Sequence, residues 1–297
     1  HGIKRNTITG SPQGSIVSPI LANIYLNELD KYLRKLIREH TTGKSKKFSK
    51  EYRKLSSKRY YLLKKGDKKE ASHLIKEMRK ISSKDSHDKD FRRIKYIRYA
   101  DDFVIFVIGS RKFTKSLKDK ISNFLKEKLN IDMNEDKTVI THMKTGKVRF
   151  LGYNIKTGQT NSYMTKFKDG VKRRSVNGII QLLVPNQVIR DKIKPYIFKN
   201  NPSENKNLIN YPVLDILHQY NAEIRGLYNY YCLANNVSKQ LHRFKYFHYE
   251  SLLKTIANKE KSNRRKVIRK YGVQVMRRTG TGTQNIVAIK DRTKQGK

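Results

Sequence analysis

The sequence predicts an α+β domain followed by an all-helical domain. The first is indicated by an apolar, β-prone stretch at 94–108 that two adjacent aspartates, Asp101 and Asp102, interrupt, with helical spacing of apolar residues on either side. The second is indicated by nearly continuous helical spacing between residues 186 and 271. Antiparallel hairpins with helices on one face form a stable layered arrangement, and 297 residues are enough for two domains.

The first helix is expected at 17–38. Ser18 is a suitable N-cap, and Pro19 suits the first helical position. One face of this helix carries apolar residues at helical spacing, namely Val17, Leu21, Ile24, Leu29, Tyr32, Leu33 and Leu36. We expect this face to lie in the core of the first domain.

A basic segment separates this helix from the aspartates. Residues 43–98 contain 21 Lys and Arg residues against 7 Asp and Glu residues, with sparse apolar residues at helical spacing. We therefore expect a mostly helical basic insertion at about residues 40–92. Two interpretations stay open for it: a solvated spacer without a specific role, or an insertion that binds nucleic acid.

The remaining elements follow in chain order. The strands expected next are 94–99 and 103–108, followed by a helix at about 112–129 and a hairpin that pairs 138–143 with 148–155 across 144–147. The helices expected after a basic connection at 161–185 are 186–200, 212–235, 238–258 and 262–271. The expected domains are 1–160, with the basic insertion, and 186–271; residues 272–297 are a basic tail or the start of a further domain.

The composition restricts the partners of the chain. It has 67 Lys and Arg residues and 25 Asp and Glu residues, a net charge of +42, which attracts polyphosphates because their condensed counterions are released on binding. Nucleic acid is the expected partner; an anionic membrane surface is the alternative, although no 18-residue apolar segment is present. Cys232 is the single cysteine, so we expect no disulfide within the chain and no zinc site.

The two aspartates indicate a metal site. Asp is among the poorest strand formers, and a carboxylate beside a core is costly unless it is paired or holds a metal. At the tip of a hairpin, Asp101 and Asp102 would reach solvent, and their mutual repulsion favours a divalent cation. Two-metal phosphoryl transfer needs acidic ligands that lie this close together. The alternative is an Asp-Asp turn without a metal.

Several ordered blocks resemble the reverse transcriptases of group II introns, the maturase family. The blocks that resemble its polymerase part are "GSPQGSIVSPILANIYLNELD", "YIRYADDFVIF", "MNEDKTVITH" and "RFLGYNI". The blocks that are similar to its thumb-like X domain are "YNAEIRGLYNYYCLANN" and "LLKTIANKEKSNRRKVIRKYG". The resemblance implies the latter part of a reverse-transcriptase palm followed by a helical X domain.

The resemblance also implies roles for individual residues. The catalytic residues would be Asp101 and Asp102, as magnesium ligands, and Lys137 near the triphosphate, for which a surface lysine is the alternative. The nucleotide-binding residues would be Pro12, Gln13, Gly14, Tyr99 and Ala100. The residues that bind primer or RNA would be Phe150, Leu151, Gly152 and Tyr153 as a primer grip, and Arg225, Tyr228, Asn229, Tyr230, Arg264, Arg265 and Lys266 in the X domain. Tyr228 and Tyr231 are three residues apart, so one of them is expected in the core.

The function implied is that of an RNA-directed DNA polymerase and splicing maturase of a mobile group II intron. Its partners would be intron RNA, an RNA template with a DNA primer, and target DNA, with Mg²⁺ and deoxynucleotides as cofactor and substrates. The alternative is an RNA-binding splicing cofactor without polymerase activity. The expected location is a bacterial cytoplasm or, alternatively, a mitochondrial matrix, with no membrane partner.

One departure from the family pattern affects activity. The family has a further metal-binding aspartate upstream of the PQG block, whereas only ten residues precede Ser11 here and none of them is acidic. The third carboxylate of a two-ion site is therefore expected outside this chain, in an N-terminal reverse-transcriptase portion. We expect these 297 residues alone to bind RNA without polymerising.

Overall fold

The computed structural model describes residues 17–85, 87–160, 163–168, 170, 172–276 and 283–287. The chain divides by its contacts into two compact units, residues 1–142 and 143–297. The mixture of helices with small antiparallel sheets agrees with the expected α+β class. The domain limits at residues 160 and 185 concern the palm and X domains of the resembled family, and they stay predictions.

The first unit contains a strand hairpin and helices. Its described elements are the helices α1 (Ser18–His40), α2 (Lys50–Lys64), α3 (Lys68–Met78) and α4 (Arg111–Leu129), and the strands β1 (Arg93–Tyr99) and β2 (Asp102–Ile108). Helix α1 begins at Ser18 with Val17 at the N-cap position, so the prediction that Ser18 caps it is wrong by one residue. Helix α4 is capped by the Ser110 hydroxyl, which accepts a hydrogen bond from the Phe113 amide at 3.2 Å.

Two helices cover one face of this hairpin. Strands β1 and β2 pair antiparallel from Arg93 opposite Ile108 to Tyr99 opposite Asp102. The buried core consists of Leu29, Leu33 and Leu36 of α1, Ile94 of β1, and Leu117, Ile121, Leu125 and Leu129 of α4. Helices packed on one side of an antiparallel pair are what the apolar spacing predicts.

The first two turns of α1 do not follow the prediction. Val17, Leu21 and Ile24 were expected in the core, yet they are 52%, 53% and 66% exposed. The described core cluster contacts α1 only from Leu26 onward. Helical spacing identifies the apolar face of a helix, but it does not show how far along that face the partner elements reach.

The region of the expected basic insertion contains two helices. Helices α2 and α3 pack against each other, and α2 has no buried residue. At its base Thr42 and Arg92 exchange backbone hydrogen bonds of 3.1 and 3.2 Å, which closes the insertion. Tyr60 and Tyr61 of α2 are exposed beside its lysines.

The second unit combines short strands with a helical core. Its described helices are α5 (Asn186–Ile193), α6 (Val213–Tyr231), α7 (Val237–Lys259) and α8 (Arg264–Tyr271). Its described strands are β3 (Val148–Phe150), β4 (Tyr153–Thr157), β5 (Met164–Lys166), β6 (Lys172–Arg174), β7 (Ile180–Leu183), β8 (Ile197–Phe198), β9 (Asn201–Pro202), β10 (Gly272–Met276) and β11 (Thr283–Val287). The helices bury one continuous cluster, to which Val287 of β11 also belongs. None of the described helices is long and apolar enough to span a membrane.

The predicted hairpin across 144–147 is wrong. Strand β3 pairs instead with β4 around a turn at Leu151 and Gly152, and β4 pairs on its other edge with β7. Segment 138–143 forms no strand. The Thr138 amide donates to the Asn134 carbonyl at 3.1 Å, and the Thr138 carbonyl accepts from Lys118 at 2.8 Å. These bonds hold the beginning of the segment in a turn against α4.

Candidate active site and nucleic-acid interface

The two aspartates lie at the tip of the β1–β2 hairpin. Tyr99 pairs with Asp102, so Ala100 and Asp101 form a two-residue turn. Ala100 has a φ of 53°, while Asp101 does not have positive φ. This is the pattern of a type II′ turn, whose first central position favours glycine. Both carboxylates are exposed, as expected from two acids in an apolar stretch.

The donor set of this tip suits magnesium. Mg²⁺ is usually held by one or two carboxylates together with substrate phosphates and water, and two adjacent exposed carboxylates supply that protein share. Within the described residues no group of three or more His, Cys, Asp or Glu side chains lies close enough together to hold a metal. Asp101 and Asp102 are the described residues that would contribute oxygen ligands to such an ion.

Further residues are expected to bind the nucleotide or to lie near its triphosphate. Tyr99 is 67% exposed, and it lies on the strand face opposite to Tyr96 and Arg98. Lys137 is exposed on a turn in which its amide donates to the Asn134 side chain at 3.0 Å. Pro12, Gln13 and Gly14 lie outside the described residues. The roles of all these residues stay predictions.

Sequence reasoning missed two charged residues behind the tip. Arg98 of β1 donates from Nε to Asp30 Oδ1 at 3.0 Å and from Nη2 to Asp30 Oδ2 at 2.7 Å. The two side chains are only 11% and 17% exposed. The available signals were Asp30 next to the apolar face of α1, and Arg98 in register with Ile94 and Tyr96 on the covered face of β1.

The candidate primer grip is a tight turn. Leu151 and Gly152 both have positive φ, 45° and 73°, which is the pattern of a type I′ turn. They lie between Phe150 and Tyr153, which pair with each other. The turn is contacted by α6, because the Tyr230 hydroxyl donates to the Leu151 carbonyl at 3.0 Å. A Cβ added at Gly152 would lie 3.1 Å from the Tyr230 hydroxyl.

Helix α6 presents polar and aromatic side chains to solvent. Arg225, Tyr228 and Asn229 are exposed, and their spacing places them on one face of the helix. Tyr231 is only 5% exposed, whereas Tyr228 is 52% exposed. This confirms that one of these two tyrosines belongs to the core, and it identifies Tyr231. Exposed tyrosine and arginine side chains are suited to stacking on bases and binding phosphate.

Helix α8 carries a second basic group. Arg264, Arg265 and Lys266 are all exposed in its first turn. Arg264 is engaged in an ion pair with Glu250, at 2.7 Å from Nη2 to Oε2. Arg265 and Lys266 form no ion pair with any described residue, so these two are the stronger candidates for phosphate contacts.

A partly buried polar cluster lies among the helices of the second unit. His248, which is 4% exposed, lies 3.1 Å from Glu223 through Nε2 and Oε2, and the Tyr196 hydroxyl donates to the same carboxylate. Burial acts to raise the pKa of Glu223, but the hydrogen bonds from His248 and Tyr196 outweigh it, so this pKa lies below its ordinary value. Burial and the hydrogen bond to Glu223 raise the pKa of Tyr196. The cluster links α6 to α7.

Comparison with known proteins gives two family matches. Residues 64–155 match the model of the reverse transcriptase (RNA-dependent DNA polymerase) family. Residues 174–295 match the model of the type II intron maturase family. The two matches follow each other along the chain in the order that the sequence blocks indicate.

Individual relatives agree with these matches. The chain is 37% identical over 280 residues to the group II intron-encoded protein LtrA of Lactococcus lactis subsp. cremoris, an alignment that covers 88% of this chain and 46% of LtrA. It is 37% identical over 285 residues to the putative COX1/OXI3 intron 2 protein of Saccharomyces cerevisiae. This alignment covers 90% of this chain and 32% of the yeast protein. The chain thus spans less than half the length of these curated relatives. It belongs to the family of group II intron-encoded reverse transcriptases and maturases.

Proposed function

We propose that this chain is the catalytic-hairpin and RNA-binding part of an RNA-directed DNA polymerase and splicing maturase of a mobile group II intron. The protein would bind its intron RNA, assist splicing, and copy the RNA into DNA at the target site. The observation that carries the proposal is the exposed Asp101–Asp102 pair at a hairpin tip, in a chain of net charge +42.

The chemistry proposed for this tip is nucleotidyl transfer. Mg²⁺, when bound, would activate the primer 3′-hydroxyl and stabilise the leaving pyrophosphate. Asp101 and Asp102 would supply oxygen ligands from the described chain, and a third carboxylate is expected from outside it. Lys137 would lie near the triphosphate, where an ammonium group stabilises the charge that develops on the leaving group. Pro12, Gln13, Gly14, Tyr99 and Ala100 remain the proposed nucleotide contacts.

The RNA contacts are proposed for three exposed sets of residues. The first is the exposed face of α6 and the second is Arg265 with Lys266 on α8. The third is the basic insertion, where Tyr60 and Tyr61 lie beside lysines and offer stacking together with phosphate contacts. Phe150 and Tyr153 flank the turn proposed as primer grip. Partners proposed for the whole protein are intron RNA, an RNA template with a DNA primer, and target DNA; a bacterial cytoplasm, or a mitochondrial matrix, is the proposed location.

The experiment that tests this function uses the full-length protein that contains the chain. Extension of a DNA primer on intron RNA and promotion of intron splicing are measured side by side. We expect Asp101→Ala to abolish extension while splicing assistance and RNA affinity are kept. The matched control is Asp132→Ala, because Asp132 is an exposed aspartate of the same unit whose side chain is 90% exposed. Both activities should survive in the control.

Two results would change the conclusion. Unchanged extension by Asp101→Ala would exclude the proposed metal-binding role of the hairpin tip. Splicing assistance without extension by the unmodified protein would instead support the alternative function, an RNA-binding splicing cofactor without polymerase activity.

A further inference from the structure

The turn that carries the aspartates is held in an uncommon backbone conformation. Ala100 has a φ of 53°, a value that L-residues other than Asn and Asp seldom adopt. Such conformations cost on the order of 1–3 kcal/mol and persist only where surrounding contacts enforce them. The direction in which Asp101 and Asp102 leave the turn depends on this residue.

Arg98 contacts the carbonyl of this residue. Its Nη1 donates to the Ala100 carbonyl at 2.7 Å, across the turn from the same strand. The same nitrogen donates to Oδ1 of Asn23 on α1 at 3.0 Å. The carbonyl of the strained residue is thus tied to the guanidinium rather than to solvent.

The guanidinium is itself fixed on its other edge. Both of its remaining nitrogens donate to the Asp30 carboxylate, in a two-point contact at 3.0 and 2.7 Å, and the Tyr96 hydroxyl donates to Asp30 Oδ1 at 2.8 Å. The hydrogen bond from Arg98 is the main cause that lowers the pKa of Asp30, and it outweighs the effect of burial. Asp30 is therefore charged at neutral pH, and the planar group of Arg98 has one orientation.

We propose that Arg98, oriented by Asp30, is a positioning residue of the polymerase site: it holds the Ala100 carbonyl so that Asp101 and Asp102 present their carboxylates to the cation. The inference rests on the proposed function of the hairpin tip. The side chain of Arg98 connects Asp30 and Asn23 of α1 to Ala100 at the hairpin tip. A lysine could keep the charge at this position, but it lacks the planar fork that reaches Asp30, Asn23 and Ala100 together.

The test compares two matched substitutions in the full-length protein. Arg98→Lys is compared with Arg93→Lys, because Arg93 lies on the same strand and also donates to backbone carbonyls, at Thr42 (2.7 Å) and Lys44 (3.2 Å), but at the opposite end of the hairpin. Both changes keep the charge, so RNA affinity should stay within about twofold for each. The measurements are kcat for primer extension and the Mg²⁺ concentration that gives half of the maximal rate.

Arg98→Lys should lower kcat by about tenfold to a hundredfold, because small displacements of reacting groups have effects of this size. It should also raise the half-saturating Mg²⁺ concentration. Arg93→Lys should change neither quantity by more than about twofold. Arg98→Ala should recover part of its activity when guanidinium is added at millimolar concentration, since the free cation restores the missing donors.

The Mg²⁺ dependence separates positioning from a structural role. A variant that is merely less stable loses active molecules, so its rate falls while its half-saturating Mg²⁺ concentration stays the same; this result for Arg98→Lys would overturn the inference, as would an unchanged kcat. If Arg98→Lys is too unstable to purify, Asp30→Asn takes its place, because it removes the orienting charge and leaves Arg98 intact. Asp30→Asn must then raise the half-saturating Mg²⁺ concentration in the same way. Full extension by Asp101→Ala would instead refute the function on which the inference rests.

Discussion

The hydroxyl of Tyr230 on α6 donates a hydrogen bond of 3.0 Å to the carbonyl of Leu151 in the β3–β4 turn. The next tyrosine, Tyr231, donates to the carbonyl of Gly152 at 3.2 Å, and Tyr153 donates back to the Tyr230 carbonyl. Both acceptor carbonyls belong to residues with positive φ. Helix α6 lies within the residues that match the maturase family. It therefore fixes the conformation of the turn that is proposed as the primer grip.

The first prediction concerns Tyr231, a residue that is only 5% exposed. Tyr231→Phe removes a donor from the Gly152 carbonyl and should lower the free energy of unfolding by about 0.5–1.5 kcal/mol. Urea unfolding of the 297-residue chain measures this decrease in the free energy of unfolding. Tyr228→Phe is the matched control on the same helix, because Tyr228 is half-exposed, and its stability should be unchanged. Equal stability of the two variants would contradict a role for the Tyr231 hydrogen bond.

The second prediction compares two glycines. A Cβ at Gly158 would lie 2.3 Å from the Val176 carbonyl oxygen, and backbone cannot move aside as a side chain can. Gly158→Ala should therefore destabilise the chain by about 1–3 kcal/mol. At Gly226, inside α6, a Cβ would meet nothing within 4 Å, so Gly226→Ala should stabilise the chain by about 0.5–1 kcal/mol. Thermal unfolding of both variants gives the comparison, and effects of equal sign would contradict it.

Local patterns in the sequence were sufficient to place most helices and the hairpin that carries Asp101 and Asp102. The helix expected at 112–129 is observed at Arg111–Leu129, because its apolar spacing is regular and Ser110 provides a cap. The strands expected on either side of Asp101 and Asp102 are present within one residue of their predicted ends. In both cases the signal lies in consecutive residues.

Contacts between distant residues could not be predicted in the same way. Strand β4 pairs with β7, more than twenty residues further along the chain, and no local pattern selects that partner over a nearer segment. The pair of Arg98 with Asp30 joins residues 68 positions apart. With 67 basic residues for 25 acidic ones, each carboxylate has several possible partners, so sequence alone does not choose among them.

The third prediction concerns pH and the buried cluster around Glu223. Its folded-state pKa lies below the ordinary value of 4.5, because the hydrogen bonds from His248 and Tyr196 outweigh burial. A carboxyl with a depressed folded-state pKa contributes stability above its unfolded pKa, and this contribution is lost as the pH falls through the folded value. The free energy of unfolding should therefore decrease progressively below about pH 4.5.

Glu223→Gln tests this assignment. The amide keeps a hydrogen-bond acceptor for the Tyr196 hydroxyl but does not titrate. Urea unfolding from neutral pH to about pH 3.5 should show a shallower acid-side decrease for the variant than for the unmodified chain. A useful control is Glu204→Gln, for which no comparable buried partners are present among the described residues. Parallel curves for Glu223→Gln and the unmodified chain would exclude Glu223 as a source of the acid sensitivity.

The last prediction concerns the salt dependence of RNA binding. Each phosphate contact contributes about 0.7 to 0.9 to the slope of log affinity against log salt concentration. Removing Arg265 and Lys266 together should therefore reduce the magnitude of that slope by about 1.5. The control pair is Arg243 and Lys245, which are exposed on α7 and whose replacement by Ala removes the same charge. If only the net charge of the protein decides RNA binding, both double variants change the slope equally, and α8 makes no specific phosphate contact. A larger change for Arg265 and Lys266 shows that the first turn of α8 contacts phosphates directly, because counterions are released only where cation and phosphate meet.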